Sequence, residues 1–196
     1  MLSSKNSLEV LRKTNALLEG HFILSSGLHS PIYIQCAKLL SYPNFSKQLC
    51  ISLSKKIKKN FKKIDIILAP AIGGIIIGYE IGRLLNIETI FAERVNGKFV
   101  LRRGFKIRKN SNVLIIEDVI TTGGSSLECI NIIKKSKAKI VGFASIINRS
   151  NKKSLKIKGK KIISQIKIKV PTYKKSNLPY SLKKIPITIP GSRYIK

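Results

Sequence analysis

From residue 64 to residue 147 the chain alternates short runs of β-branched residues with segments of helical length, which limits the folds open to it more than any other feature. Strands are expected over residues 64–69, 89–92, 113–117 and 140–147, and helices over 74–85 and 125–136. Runs that stay apolar at successive positions belong to strands covered on both faces. The expectation is therefore an α/β fold, a mainly parallel central sheet flanked by helices. Gly74, Gly78 and Gly82 recur at every fourth residue, a spacing that lets a helix backbone approach a sheet closely. In such sheets ligands sit beyond the carboxyl ends of the strands, so the segments starting at Pro70, Asp118 and Asn148 should line one cleft.

The flanking regions are less regular. Leu8, Leu11 and Leu18 share a helical face, with Ser7 as a cap and Gly20 as a stop. Two short strands, 21–24 and 31–36, follow around Ser25-Ser26-Gly27. Asn44 then caps a helix in which Phe45, Leu49, Leu53 and Ile57 repeat at four-residue spacing. After Arg149 the chain becomes polar and Lys-rich, alternates Lys with Ile over 161–170, and carries Pro171, Pro179, Pro186 and Pro190. A peripheral hairpin and an irregular tail are expected there. A length of 196 residues suits a single domain over 1–196 with its core at about 44–149.

Against 38 basic residues stand 9 acidic ones, a net charge of +29 that by itself suggests a nucleic-acid or anionic-membrane partner. The distribution argues otherwise. Thirty of the basic residues are Lys and only eight are Arg, in clusters at 55–63, 134–139 and 152–161 with little aromatic interleaving beyond Phe61. Nucleic-acid surfaces gather Arg and aromatics on one face. The joint surplus of Lys and Ile fits an A+T-rich coding sequence, so these clusters read as solvated faces and nucleic acid is not an expected partner.

Cys36, Cys50 and Cys129 form no CxxC pair and, with His21 and His29, make no zinc ligand set. Lys5, Glu9, Arg12 and Lys13 interrupt the region where a secretory signal would be apolar. The apolar run 66–79 is broken by Pro70 and falls short of the ~18 residues a membrane span needs. The expectation is a cytoplasmic protein with reduced thiols and no membrane association.

Residues 113–126 read VLIIEDVITTGGSS: strand residues, two adjacent carboxylates, then Thr121-Thr122-Gly123-Gly124-Ser125 opening a helix. Glycines let the backbone close around an anion, hydroxyls add donors, and a helix start presents free amides. The Lys of a P-loop and the spacing of a dinucleotide fingerprint are both missing. Glu117 and Asp118 accept hydrogen bonds from hydroxyls and oppose phosphate at their own position, so the pattern fits a phosphorylated sugar.

This string resembles the phosphoribosyl pyrophosphate (PRPP) motif of the type I phosphoribosyltransferases. FILSSGLHSPIYIQCAKLL (22–40), FAERVNGKFVLRRGF (91–105), Asn148-Arg149, KVPTYKKSNLP and PGSR extend the likeness to the shorter form of the orotate phosphoribosyltransferases. It covers nearly the whole chain and is weakest over 150–167. The resemblance implies the type I fold with a small hood built from the N-terminal hairpin and the C-terminal segment (1–43 and 150–196). It implies transfer of the 5-phosphoribosyl group from PRPP to orotate in UMP synthesis, dependence on Mg2+ held mainly through PRPP with no direct protein ligand, and a homodimer.

Carried over by position, Glu117, Asp118, Val119, Ile120, Thr121, Thr122, Gly123, Gly124 and Ser125 bind PRPP, with the carboxylates on the ribose hydroxyls. Thr121 and Arg149 contact orotate, the Arg through paired hydrogen bonds to a carboxylate. Residues 93–104 resemble the family's mobile catalytic loop, which often serves the partner's site; Arg94 and Lys98 are its basic residues, and Lys98 is expected to stabilise the departing pyrophosphate. Two departures stand out: longer family members carry Lys where this chain has Ser25 and Gly73. Backbone amides of the 70–74 turn, with Arg102 or Arg103, are expected to supply the missing charge. His29 and Tyr33 read as packing residues. The competing readings are a transferase for a purine or uracil and a PRPP-sensing regulator of the same fold that binds nucleic acid.

Overall fold

The β-branched runs become the interior strands of a six-stranded sheet. A computed structural model describes residues 1–24, 26–150 and 160–190. Ser25 and the 191–193 part of PGSR lie outside the described residues. In chain order the elements are α1 (Ser4–Lys13), β1 (Leu17–Ile23), β2 (His29–Ile34), α2 (Cys36–Leu40), α3 (Pro43–Asn60), β3 (Ile66–Pro70) and α4 (Gly73–Leu85). Then follow β4 (Glu88–Val95), β5 (Lys98–Leu101), β6 (Asn112–Ile120), α5 (Gly124–Lys135), β7 (Lys139–Asn148), β8 (Lys161–Lys167), a 3-10 turn, α6 (Tyr180–Lys183) and β9 (Ile187–Thr188).

The main sheet has the order β5-β4-β3-β6-β7-β8 and is parallel except for β5 at one edge. Because successive strand residues face opposite sides, Ile67, Leu114 and Ile116 join a core with α1, α3 and α4. Ile66, Leu68, Val113 and Ile115 join a second core with α5. The expected α/β architecture is thus present, with both faces of the central strands covered. The glycine spacing in α4 works as anticipated: a Cβ at Gly78 would lie 2.8 Å from the Ala69 methyl, and one at Gly82 only 1.9 Å from Thr89 Oγ1. A second small sheet, β2-β1-β9, forms the hood from the N-terminal hairpin and the C-terminal segment.

Several boundaries differ from expectation. Helix α1 starts earlier, capped by Ser3, whose hydroxyl accepts from the Asn6 amide at 3.0 Å, and Leu18 belongs to β1. Asn15, at φ 52°, turns the chain out of the helix before Leu18 is reached. Helix α3 opens on Pro43 at its first turn, so Asn44 lies inside it and Tyr42 takes the cap position.

The segment 93–104, expected as a loop, is largely an antiparallel hairpin in which Arg94 pairs with Phe99 and Val95 with Lys98. Asn96 and Gly97 both have positive φ (48° and 79°), the backbone of a two-residue hairpin turn. The Lys/Ile alternation after residue 160 marks β8, which joins the main sheet parallel to β7 in place of the expected hairpin, so the core extends beyond 149. Burial of Gln165 and Ile166 and the Lys56 ammonium on the Ser164 and Gln165 carbonyls hold this edge against α3.

Candidate active site

Strand β6 carries the acidic pair past the point where helices cover the sheet, and strand geometry separates the two side chains. Glu117 continues the Val113, Ile115 face toward α5; Asp118 turns toward the start of α4. Glu117 is 8% exposed, and its carboxylate accepts a short hydrogen bond from the Ser126 hydroxyl. Burial pushes its pKa up to about 7; the hydroxyl and amide of Ser126 pull the other way and Asp118 adds to the rise. Asp118 is half-buried, accepts from the Val119 amide at 2.8 Å, and is likewise raised by burial.

Directly opposite Asp118 is Gly73, where a Cβ would lie 2.7 Å from Oδ2. Any side chain there, including the Lys of longer relatives, requires the carboxylate to move. The turn before α4 is tied to β4 by the Ala71 amide on the Ala92 carbonyl at 2.7 Å, and its Ala71–Ile72 peptide is cis.

The five residues after Ile120 are the segment that the sequence marks as a phosphate cradle. Thr121, Thr122 and Gly124 are exposed, and Gly123 caps α5 at φ 79° with no side-chain hydrogen bond. The first turn of α5 contains no acidic residue, so the positive end of the helix is not offset by a carboxylate of its own. Val119 is half-buried, while Ile120 is 1% exposed and belongs to the α5 core. Their side chains pack, leaving backbone atoms toward the cradle. The Ile120 carbonyl accepts from the Arg149 amide at 2.8 Å, which sets the end of β7 beside Thr121.

The Arg149 guanidinium is half-buried; burial lowers its pKa, and the nearby Tyr33 phenol opposes that. Among the described residues its Nε has no hydrogen-bond partner, a donor that an anionic ligand would satisfy. Tyr33 from β2 is a neighbour that sequence reasoning placed among packing residues; only its position in the hairpin hinted at the cleft. His29 does pack: its ring meets His21 at 2.7 Å, and both are buried under the C-terminal segment.

Arg94 and Lys98 stand apart from this cluster. Arg94 is clasped to Glu128 on the outer side of α5 at 2.8 and 3.0 Å and lies 4.1 Å over the Phe99 ring. Lys98 is exposed beside the hairpin turn. Among the described residues no hydrogen bond or ion pair joins either to the acidic pair or the cradle. Arg102 and Arg103 approach Glu93 at 3.9 and 3.2 Å. The structure thus gathers Glu117, Asp118, the cradle and Arg149, and leaves the hairpin cations outside.

Comparison with known proteins agrees with this geometry. Residues 38–183 match the family described as phosphoribosyl transferase domain. The orotate phosphoribosyltransferase of Parvibaculum lavamentivorans is 45% identical over 99% of this chain and 100% of its own. That of Caldicellulosiruptor saccharolyticus is 44% identical over 96% and 97%. Among solved structures, orotate phosphoribosyltransferase from Aeropyrum pernix has a TM-score of 0.72 at 20% identity, covering 82% of this chain and 92% of its own. The Francisella tularensis orotate phosphoribosyltransferase gives 0.66 at 28% identity, with 85% of each chain covered. An adenine phosphoribosyltransferase at 0.63 and 17% identity shares the fold, over 80% of this chain and 99% of its own. With the motif, the sheet order and full-length similarity in agreement, the chain belongs to the orotate phosphoribosyltransferase family of type I phosphoribosyltransferases.

Proposed function

We propose that this chain transfers the 5-phosphoribosyl group of PRPP to orotate, giving orotidine 5′-monophosphate and pyrophosphate in UMP synthesis. The observation that carries the proposal is the half-buried Arg149, whose Nε has no partner among the described residues, beside the 121–125 segment and a carboxylate pair. A purine or uracil offers no carboxylate to an arginine so placed; orotate does.

In this reading the amides and hydroxyls of Thr121, Thr122, Gly123, Gly124 and Ser125 hold the 5′-phosphate. Asp118, and Glu117 behind it, face the ribose hydroxyls, and Val119 and Ile120 contribute backbone. Arg149 with Thr121 orients the orotate carboxylate so that the ring nitrogen meets the anomeric carbon. The C1′–O bond to pyrophosphate breaks as the C1′–N bond forms, the ring nitrogen gives up its proton to solvent or to the departing pyrophosphate, and negative charge grows on the leaving group. The 70–74 turn offers it backbone amides and Lys98 a mobile cation, with Arg94 beside it. Carboxylate and hydroxyl oxygens are hard donors, which fits a magnesium ion that keeps water and PRPP oxygens in its shell. Bound there, magnesium neutralises part of the pyrophosphate charge.

The position of the hairpin supports a homodimer in which one copy's Lys98 reaches the other's cleft. So does the exposed apolar stripe Ile72, Ile76 and Tyr79 on α4, at 84, 53 and 66% exposure. Three reduced, buried cysteines suit the cytoplasm. Among the described residues no helix is long and apolar enough to cross a membrane. We assign no nucleic-acid role to the Lys-rich surface.

Steady-state kinetics of two variants test these assignments. Arg149→Ala is expected to raise the KM for orotate by roughly tenfold to a hundredfold, the weight of one or two charge-assisted hydrogen bonds, with a smaller effect on PRPP. Lys98→Ala is expected to lower kcat by about a hundredfold or more with KM little changed. An unchanged orotate KM in the first variant, or an unchanged kcat in the second, removes that residue from the site.

A further inference from the structure

Helix α5 begins without the usual capping groups: Gly123 has no side chain to offer, and the first turn has no acidic residue. Glu117 supplies the missing acceptor from another element. Its carboxylate accepts a hydrogen bond from the hydroxyl of Ser126, the third residue of the helix, and the Ser126 amide also favours its charged form, as a capping side chain is favoured from within the chain. Ser126 is fully buried and Glu117 nearly so. At the other end of the cradle, the Arg149 amide pins the Ile120 carbonyl at 2.8 Å. The five intervening residues are therefore suspended between two fixed points.

We propose that Ser126, which lies beyond the residues assigned to PRPP, is a positioning residue: it fixes the Glu117 carboxylate against the first turn of α5 and so presets the phosphate cradle. This rests on the transferase reading for its substrate, but the cradle can be tested without turnover. Preorganised amides bind an anion without first having to be ordered, so the consequence belongs to affinity for the phosphorylated sugar more than to kcat. The arrangement carries a pH signature. Glu117 titrates near 7, and losing the Ser126 hydroxyl moves it further up. The titratable group that acts on it is Asp118 on its own strand, and its own charge in turn raises the buried Cys129 thiol on α5.

The experiment is calorimetric titration of the full chain with ribose 5-phosphate between pH 6 and 9, for wild type, Ser126→Ala, Glu117→Gln and the double variant. Ser126→Ala is expected to weaken binding about tenfold. Taking the ratio to wild type cancels titration of the ligand's own phosphate. That ratio should be greatest just above pH 7, where the wild type has Glu117 ionised and the variant, in which it is shifted further up, keeps it protonated. In the Glu117→Gln background the same substitution should cost less than about twofold. A ratio that is flat with pH, or an undiminished cost in that background, overturns the proposal. Turnover of orotate by the wild type, measured in parallel, tests the transferase reading separately.

Discussion

Glu117 shows how one residue's environment becomes a measurable property. Its pKa lies near 7 in the folded chain against an ordinary 4.5, so the folded state keeps a proton that the unfolded state releases between those values. Stability therefore falls as pH rises through that window, and the cost persists above it. Glu117→Gln removes the charge, so its unfolding free energy relative to wild type should grow from pH 5 to pH 8, by up to roughly 3 kcal/mol. An advantage equal at both pH values contradicts the burial account. The identities of Glu117, Asp118, Thr121 and Arg149 were legible because each stands at a strand end in a dense motif. Which face each carboxylate takes was not, because that depends on where β6 passes between α4 and α5. Nor was the clasp of Arg94 on Glu128, between residues 34 positions apart in the chain.

Elements were legible where burial is two-sided. Strands β3, β6 and β7 and the helices between them follow from apolar runs and from the glycines that let α4 lie on the sheet. Gly82 tests that packing. A Cβ there would meet Thr89 Oγ1 at 1.9 Å and the Ile87 carbonyl at 3.0 Å, and the carbonyl cannot rotate away. Gly82→Ala should lower stability by roughly 1–3 kcal/mol, overpacking outweighing the better helix propensity. A thermal melt at or above the wild-type Tm would refute the close contact. Elements with one wet face were harder to read. β5 and β8 are edge strands, β5 only four residues long and β8 interrupted by polar residues, and Asn96-Gly97 was the local sign that 93–104 doubles back.

For the whole molecule, charge was the most misleading quantity. A value of +29 invites a nucleic-acid reading, whereas the candidate site is drawn from the ends of β3, β6 and β7 and their connections, which carry a small part of that charge. Weak adhesion to RNA should fall steeply as salt rises, and retention at high salt would revive the regulator. The proposed homodimer rests on the α4 stripe. Wild type should sediment as a dimer, and Ile76→Glu with Tyr79→Glu should shift it to monomers and lower activity, since the hairpin would lose its neighbour. A fully active monomer would place Lys98 at its own cleft. The central claim, phosphoribosyl transfer to orotate, is tested most directly by following orotate absorbance after adding PRPP and magnesium to the purified wild type, with uracil and hypoxanthine as alternative bases. The account predicts loss of orotate alone, dependent on PRPP; turnover of another base in its place, or of none, would contradict it.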